Sequence, residues 1–219
     1  MGLAIFDLDN TLIGGDSDYL WNLFLAELEI VDGTHRMAKN DVFYQQYLEG
    51  ILDIYEFLTF QFEPLKNHPV SQLTTWRSQY IKEKIQPIIL PKALELINFH
   101  QRQGHILLII TATNRFITQP IAEILGVKHL IATEPEMQDG CYTGRVVGTP
   151  SYREGKITRL NEWLATQHLS LNNPSWFYSD SHNDIPLLER VTYPTAVDPD
   201  KKLANHAKNE GWKIISLRT

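Results

Sequence analysis

Short apolar runs punctuate this chain at Leu3–Phe6, His105–Ile110, His129–Ala132, Ser175–Tyr178, Tyr193–Ala196 and Lys213–Ser216. Runs of this length, bounded by turn residues, predict buried strands. Between the later runs the apolar positions recur with helical spacing, at Lys92–Gln103, Arg115–Leu125, Lys156–Gln167 and Lys201–Lys208. Strand and helix in alternation predict an α/β fold, a parallel sheet with helices on both faces. The first gap breaks that rhythm. From Ser17 to Ile89 the pattern is helical throughout, with segments at Asp18–Leu28, Asp41–Leu48, Ile54–Phe62 and Gln72–Lys84. Their aromatic stripe (Trp21, Phe24, Phe43, Tyr47, Phe57, Phe60, Phe62) reads as the core of a helical bundle. A crossover this long exceeds what a connection needs. The expected organisation is therefore a core of residues 1–15 and 90–219, with residues 16–89 inserted as a helical-bundle cap domain. Asp139-Gly140, between two short extended runs, predicts a hairpin within Thr133–Gly148.

Composition narrows the setting. The chain has 219 residues, 43% hydrophobic and 21% charged, with a formal net charge of -6. No basic stripe is available to neutralise phosphates, which argues against nucleic acid as a partner. No apolar stretch approaches the roughly 20 residues of a membrane span. Charge arrives by Asp7 with no basic stretch before it, unlike a secretory signal, and Phe6 stands where a myristoylation pattern needs Ser or Thr. Cys141 is the only cysteine, so an internal disulfide is impossible and a reducing, cytoplasmic location is expected. Oligomeric state leaves no readable pattern.

Candidate chemistry collects where the runs end. Asp7-Leu8-Asp9-Asn10-Thr11-Leu12 follows the first one directly. Carboxylates at i and i+2 on extended backbone point the same way. At the C-terminal end of a parallel strand both would face the ligand crevice. Like charges so close call for a cation or a shared proton, although Asp/Asn/Thr/Gly clusters also form plain turns. Thr111 closes the run Ile106–Ile110, with helical signals just after it, which suits either an anion site or a simple N-cap. Lys156 stands in the first turn of a helix, opposing its dipole, the kind of local conflict found at functional sites as well as on solvated surfaces. Asp180 and Asp184 follow Trp176-Phe177-Tyr178 and could complete an oxygen-rich site for Mg²⁺, or merely cap the next helix.

In this order the residues resemble the motifs of the haloacid dehalogenase-like (HAD) superfamily, specifically its phosphoserine-phosphatase-like branch (subfamily IB) with a helical C1 cap after the first strand. The likeness covers nearly the whole chain. It implies a Rossmann-like parallel sheet core and a Mg²⁺-dependent phosphomonoesterase. Asp7 would be the nucleophile that becomes an aspartyl phosphate, and Asp9 the general acid and base. Thr111, Ala112 and Lys156 would bind the phosphoryl oxygens. Asp7, the carbonyl of Asp9 and Asp180 would hold the metal, with Asp184 orienting that shell.

Departures from the branch bear on the substrate, a small-molecule phosphomonoester. Where phosphoserine phosphatases use a glutamate to read the substrate amine, this chain has Asp16. Thr59 aligns with their arginine for the substrate carboxylate. Arg115 lies just after the second motif, within expected reach of the crevice. An acid without a carboxylate reader suits an amino-alcohol phosphate, and members with a similar Gly-Asp-Ser-Asp stretch are often assigned to histidinol phosphate. Phosphoserine hydrolysis and phosphoryl transfer to another acceptor stay open. The different-class alternative is a catalytically silent binding protein on the same fold.

Overall fold

The chain is described here from a computed structural model covering residues 2–171 and 173–218. Strand β1 (Leu3–Phe6) leads into a helical insertion: α1 (Ser17–Glu27), α2 (Gly33–Glu49), α3 (Ile54–Asn67) and α4 (Val70–Tyr80). A π-turn at Ile81–Ile85 and a 3₁₀ turn at Gln86–Ile88 close the insertion. The core resumes with α5 (Pro91–Arg102), β2 (Ile106–Asn114), α6 (Arg115–Ile124), β3 (His129–Gln138) and β4 (Cys141–Val147). It ends with α7 (Glu154–Thr166), β5 (Ser175–Ser179), α8 (Ile185–Leu188), β6 (Tyr193–Val197), α9 (Lys201–Asn209) and β7 (Lys213–Ile215).

The strands form one sheet in the order β4-β3-β2-β1-β5-β6-β7. Every neighbouring pair is parallel except β3 and β4. The fold is thus the expected Rossmann-like α/β sheet with a helical insertion. Strand β1 lies between β2 and β5, with Phe6 opposite both Ile109 and Tyr178. This register brings the residues after β1, β2 and β5 to one edge of the sheet. Ile5, Ile110 and Phe177 are buried on one face, Phe6, Ile109 and Tyr178 on the other. Burial on both faces explains why these strands read as unbroken apolar runs.

The predicted hairpin forms with Asp139 and Gly140 both at positive φ (51° and 79°), as a tight turn between twisted strands requires. The chain leaves and re-enters the core side by side: Gly14 N–H donates to Ile88 O (2.7 Å) and Leu90 N–H to Leu12 O (3.2 Å). Trp21, Phe24 and Tyr80 of the insertion share one apolar cluster with Phe116, Ile117 and Ile121 of α6. Phe43, Leu52 and Phe60 form a separate, smaller cluster that Tyr152 completes from the core. The aromatic stripe therefore does more than fill a bundle, because part of it faces the core across a cleft.

Candidate active site

A cleft of about 680 Å³, part of it open to solvent, lies between the edge of the sheet and α1–α3. Asp7, Asp9, Thr111, Ala112, Lys156 and Asp184 line it from the core, and Asp16, Asp18, Asn40, Phe43, Tyr44, Phe57 and Gln61 from the insertion. Lys156 is the only cationic side chain among the described residues that line it.

Asp7 follows β1 directly and its N–H donates to Tyr178 O (2.9 Å), which extends the ladder by one step. Its Oδ1 accepts from Lys156 Nζ (2.7 Å), and the same ammonium donates to Asp184 Oδ2 (2.8 Å). All three side chains are buried. Burial, with Asp184 and Asp9 nearby, pushes the Asp7 carboxyl up to about 7 although Lys156 opposes the shift. Burial also works against the charge on Lys156, but Asp184 and Asp7 outweigh it and hold the pKa above the ordinary lysine range. The lysine is therefore a permanent cation between two acids. Gly155 makes its approach possible: a Cβ there would meet Pro150 O at 2.1 Å.

Asp9 is clamped by donors. Ser17 N–H, at the start of α1, donates to Oδ1 (2.7 Å). Thr113 Oγ1 (2.9 Å) and Thr111 Oγ1 (3.3 Å) donate to Oδ2. Asp180 N–H donates to Thr11 Oγ1 (3.1 Å), which in turn donates to Asp180 Oδ1 (3.2 Å). Burial, then Asp7 and Asp184, raises the Asp180 carboxyl well above the usual range. Asp184 Oδ2 also accepts from Ser179 Oγ (2.7 Å), while Ser181, not Asp180 or Asp184, caps the short turn that follows.

Three expectations need correction. No helix starts beside Thr111: β2 continues through Asn114, and α6 is capped by Asn114 Oδ1 accepting from Ile117 N–H (3.2 Å). Thr111 instead donates to Asp9 and accepts from Thr113 N–H (3.2 Å). Thr59 is exposed on α3, with its hydroxyl donating to Tyr55 O (2.8 Å), outside the cleft lining. Arg115 is likewise absent from the lining. Its guanidinium is taken up by Glu134 (2.9 Å), Gln119 (2.9 Å) and Leu130 O (3.0 Å). Asp16 does line the cleft, as the N-cap of α1 accepting from Tyr19 N–H (2.8 Å), and burial beside Asp9 pushes it up to about 7.

Asn40 and Gln61 of the lining went unread in the sequence, whereas Asp18 stands in the Gly-Asp-Ser-Asp stretch noted there. Asp18 is buried, accepts from Asn114 Nδ2 (3.2 Å), and is raised by burial and by Asp16 and Asp9. Asn40 and Gln61 are nearly fully buried. Asp18 sits two residues after Asp16 in Gly15-Asp16-Ser17-Asp18, a spacing that signals a second acid on one turn. Asn40 and Gln61 belong to no spacing pattern at all.

The oxygen set around Asp7 and Asp180 suits a hard divalent cation. Buried acids outnumber the one lysine in the lining, and a divalent cation is what would offset their mutual repulsion. The described residues hold no ready-made cage of three or more metal-ligating side chains. Mg²⁺ asks for less, since one or two carboxylates with waters and phosphate oxygens suffice.

An aspartate at the end of the central strand, a buried lysine between two acids and helices across the cleft fit a hydrolase of one recognisable class. The chain belongs to the haloacid dehalogenase-like hydrolase family, which it matches over residues 4–189. Among individual relatives it is 43% identical over 219 residues to the histidinol-phosphatase of Neisseria meningitidis serogroup C, covering 99% of each chain. A Bordetella pertussis Tohama I protein of unknown function has the same identity, 43%, and superposes with a TM-score of 0.93 over 99% of this chain and 98% of that one. A phosphoserine phosphatase solved as a phospho-aspartyl intermediate analogue shares the fold at 19% identity, with a TM-score of 0.71 over 98% and 92% of the two chains. No helix among the described residues is long and apolar enough to cross a membrane.

Proposed function

We propose that this protein is a cytoplasmic, Mg²⁺-dependent phosphomonoesterase of an amino-alcohol phosphate, histidinol phosphate, with residues 16–89 acting as a cap domain over the reacting centre. The observation that carries the reaction is Lys156 Nζ bridging Asp7 and Asp184 beside a clamped Asp9. A carboxylate of Asp7 attacks phosphorus, forming an acyl phosphate as the bond to the leaving oxygen breaks, and Asp9 gives that oxygen its proton. Asp9, now a carboxylate, takes a proton from water as the water attacks phosphorus and releases Asp7 and inorganic phosphate. Lys156 offsets the charge on Asp7 and on the transferring group in a buried setting, where such positioning supplies most of the catalysis. Asp7, the Asp9 carbonyl and Asp180 would hold Mg²⁺, with Asp184 orienting that shell. When bound, the ion neutralises phosphoryl oxygens.

The substrate reading rests on charge. A substrate carboxylate would find no arginine in the lining, because Arg36 is committed to Asn22 (2.7 Å), Glu63 (2.9 Å) and Phe60 O (2.8 Å). It would instead meet Asp16 and Asp18, which suit an ammonium group. The name carried by the Neisseria relative supports the same choice. The test is a phosphate-release screen over small phosphomonoesters with Mg²⁺, run beside Asp7→Asn. Histidinol phosphate is expected to be the best substrate, and Asp7→Asn to lose about 10⁴-fold or more in kcat. Undiminished turnover by Asp7→Asn would sink the covalent mechanism.

A further inference from the structure

Behind Asp16 and Asp18 the insertion holds a buried amide relay that the reaction does not use. Arg36 Nε donates to Asn22 Oδ1 (2.7 Å), and arginine has no acceptor, so this bond fixes which way the Asn22 amide points. Asn22 Nδ2 then donates to Gln61 Oε1 (2.8 Å), to Asp18 O (2.9 Å) and, more weakly, to Asn40 Oδ1 (3.3 Å). Both amide oxygens are consumed inside the relay. The NH₂ groups of Asn40 and Gln61 are left over, each with no hydrogen-bond partner. Their residues are 2% and 1% exposed and both line the cleft.

Buried donors without acceptors are costly, and in a binding site they mark where a ligand supplies the missing atom. Phe43 and Tyr44 stand three and four positions after Asn40 on α2, and Phe57 four before Gln61 on α3, so these lining rings share the helix faces of the two amides. A carboxylate is a poor candidate for the acceptor, because Asp16, Asp18 and Asp9 share this space. A neutral ring nitrogen carries a lone pair without a negative charge and belongs to a flat ring.

We propose that Asn40 and Gln61 are specificity-determining donors that read an uncharged ring nitrogen of the leaving alcohol, remote from its phosphate. This deepens the phosphatase reading above and rests on it. Asp16 and Asp18 take the ammonium, the aromatic side chains take the ring faces, and the two amides share the ring's single lone pair in a three-centre bond. The relay from Arg36 occupies both amide oxygens and so leaves only N–H groups spare, and a phenyl ring in the same place gives them no acceptor. Sites built to donate to a substrate reject the analogue lacking the acceptor far more strongly than apolar pockets reject a size change.

The test compares kcat/KM for the imidazole-bearing ester with that for the phenyl analogue, phenylalaninol phosphate, with p-nitrophenyl phosphate as a turnover check. Wild type is expected to prefer the imidazole ester by about a hundredfold. Gln61→Met, and separately Asn40→Leu, should shrink that ratio to within about tenfold. A ratio of two rates on one preparation is insensitive to how much of a variant folds. The preference should also be larger at pH 8 than at pH 5.5, since a protonated imidazole offers no acceptor. An unchanged ratio in both variants overturns the proposal, as does a preference that grows on acidification. Turnover of all three esters without discrimination overturns it while leaving the phosphatase reading intact. No turnover of any ester removes both.

Discussion

The two sides of the cleft are built on different principles. On the sheet side, groups of opposite charge meet at fixed strand ends, and Lys156 is shared between Asp7 and Asp184. On the helical side, acids stand without a cation, among neutral amides, aromatic rings and the aliphatic Leu52 and Ile54. On the proposed function, the sheet side serves one charge distribution, that of a transferring phosphoryl group. The helical side is organised for the shape and polarity of whatever that group is leaving. On this proposal chemistry and choice of substrate thus belong to separate parts of the chain, and that separation can be tested.

Among tests of that separation, the largest effect is expected from Lys156→Met. Removing the ammonium leaves Asp7 and Asp184 facing each other in a buried site, and breaking such a pair costs about 3–5 kcal/mol. We expect kcat to fall by about 10³-fold or more on every ester tried, with the order of preference among esters unchanged. Steady-state kinetics on three esters decides it. A variant that reorders them would show that the sheet side also selects the substrate, and the separation would fail.

That asymmetry also decided what the sequence could disclose. Asp7, Thr111 and Asp180 each end or follow an apolar run, and a buried parallel strand ends at the ligand edge, so position along the chain reported position in space. Nothing comparable marks the helical wall. Trp21 and Phe24 are core, while Phe43 and Phe57 line the cleft, although all read as one aromatic stripe. Thr59 shows how sharp the problem is. It lies two residues from Gln61, about 200° around a helix, so a slip of two positions exchanges a cleft residue for an exposed one. Asn22, Asn40 and Gln61 come together from three helices, and no periodicity couples them. Thr113 escaped for another reason: the sequence suggested that β2 stops at Ile110, whereas it runs on to Asn114.

A second, smaller test uses pH and metal to separate the two groups of acids. Asp7 and Asp16 are both pushed up to about 7 by burial, from an unperturbed 3.8. The folded state therefore holds protons that the unfolded chain has released, and these carboxyls cost stability progressively as pH rises from about 4 to about 7. His100 acts with the opposite sign, because burial keeps it neutral down to about 4 and stability falls as pH drops below 6.5. Comparison with variants removes that background. Mg²⁺ should raise the melting temperature by several degrees at pH 7.5 and by less at pH 5.5, where the carboxyls are protonated. Asp16→Asn should flatten the remaining pH dependence without abolishing the Mg²⁺ shift. Loss of the Mg²⁺ shift in Asp16→Asn would place the cation on the helical side instead.

The smallest expected effect lies where the two sides join. A helix ends with carbonyls that lack intrahelical partners, and at the end of α2 the core supplies the donors. Asn183 Nδ2 donates to Tyr47 O (3.1 Å), Lys202 Nζ to Glu49 O (2.9 Å) and Arg153 Nη1 to Gly50 O (3.0 Å). Tyr47 OH adds a bond to Ser181 Oγ (3.0 Å), next to Asp180. Cations at a helix C-terminus also complement its dipole. Lys202 is exposed, so its bond contributes on the order of 0.5 kcal/mol. Arg153 is more informative, because its φ of 50° places it in the left-handed region. Arg153→Gly removes the contact while relieving the backbone, so a purely structural role predicts equal or higher stability and no change in kinetics. If these contacts instead hold α2 and its aromatic wall over the strand ends, Arg153→Gly should raise KM about two- to fivefold. That rise should be the same for all esters, with the melting temperature unchanged or slightly higher. An effect confined to one ester would move Arg153 from the joint into the selecting wall, and redraw the boundary between the two sides.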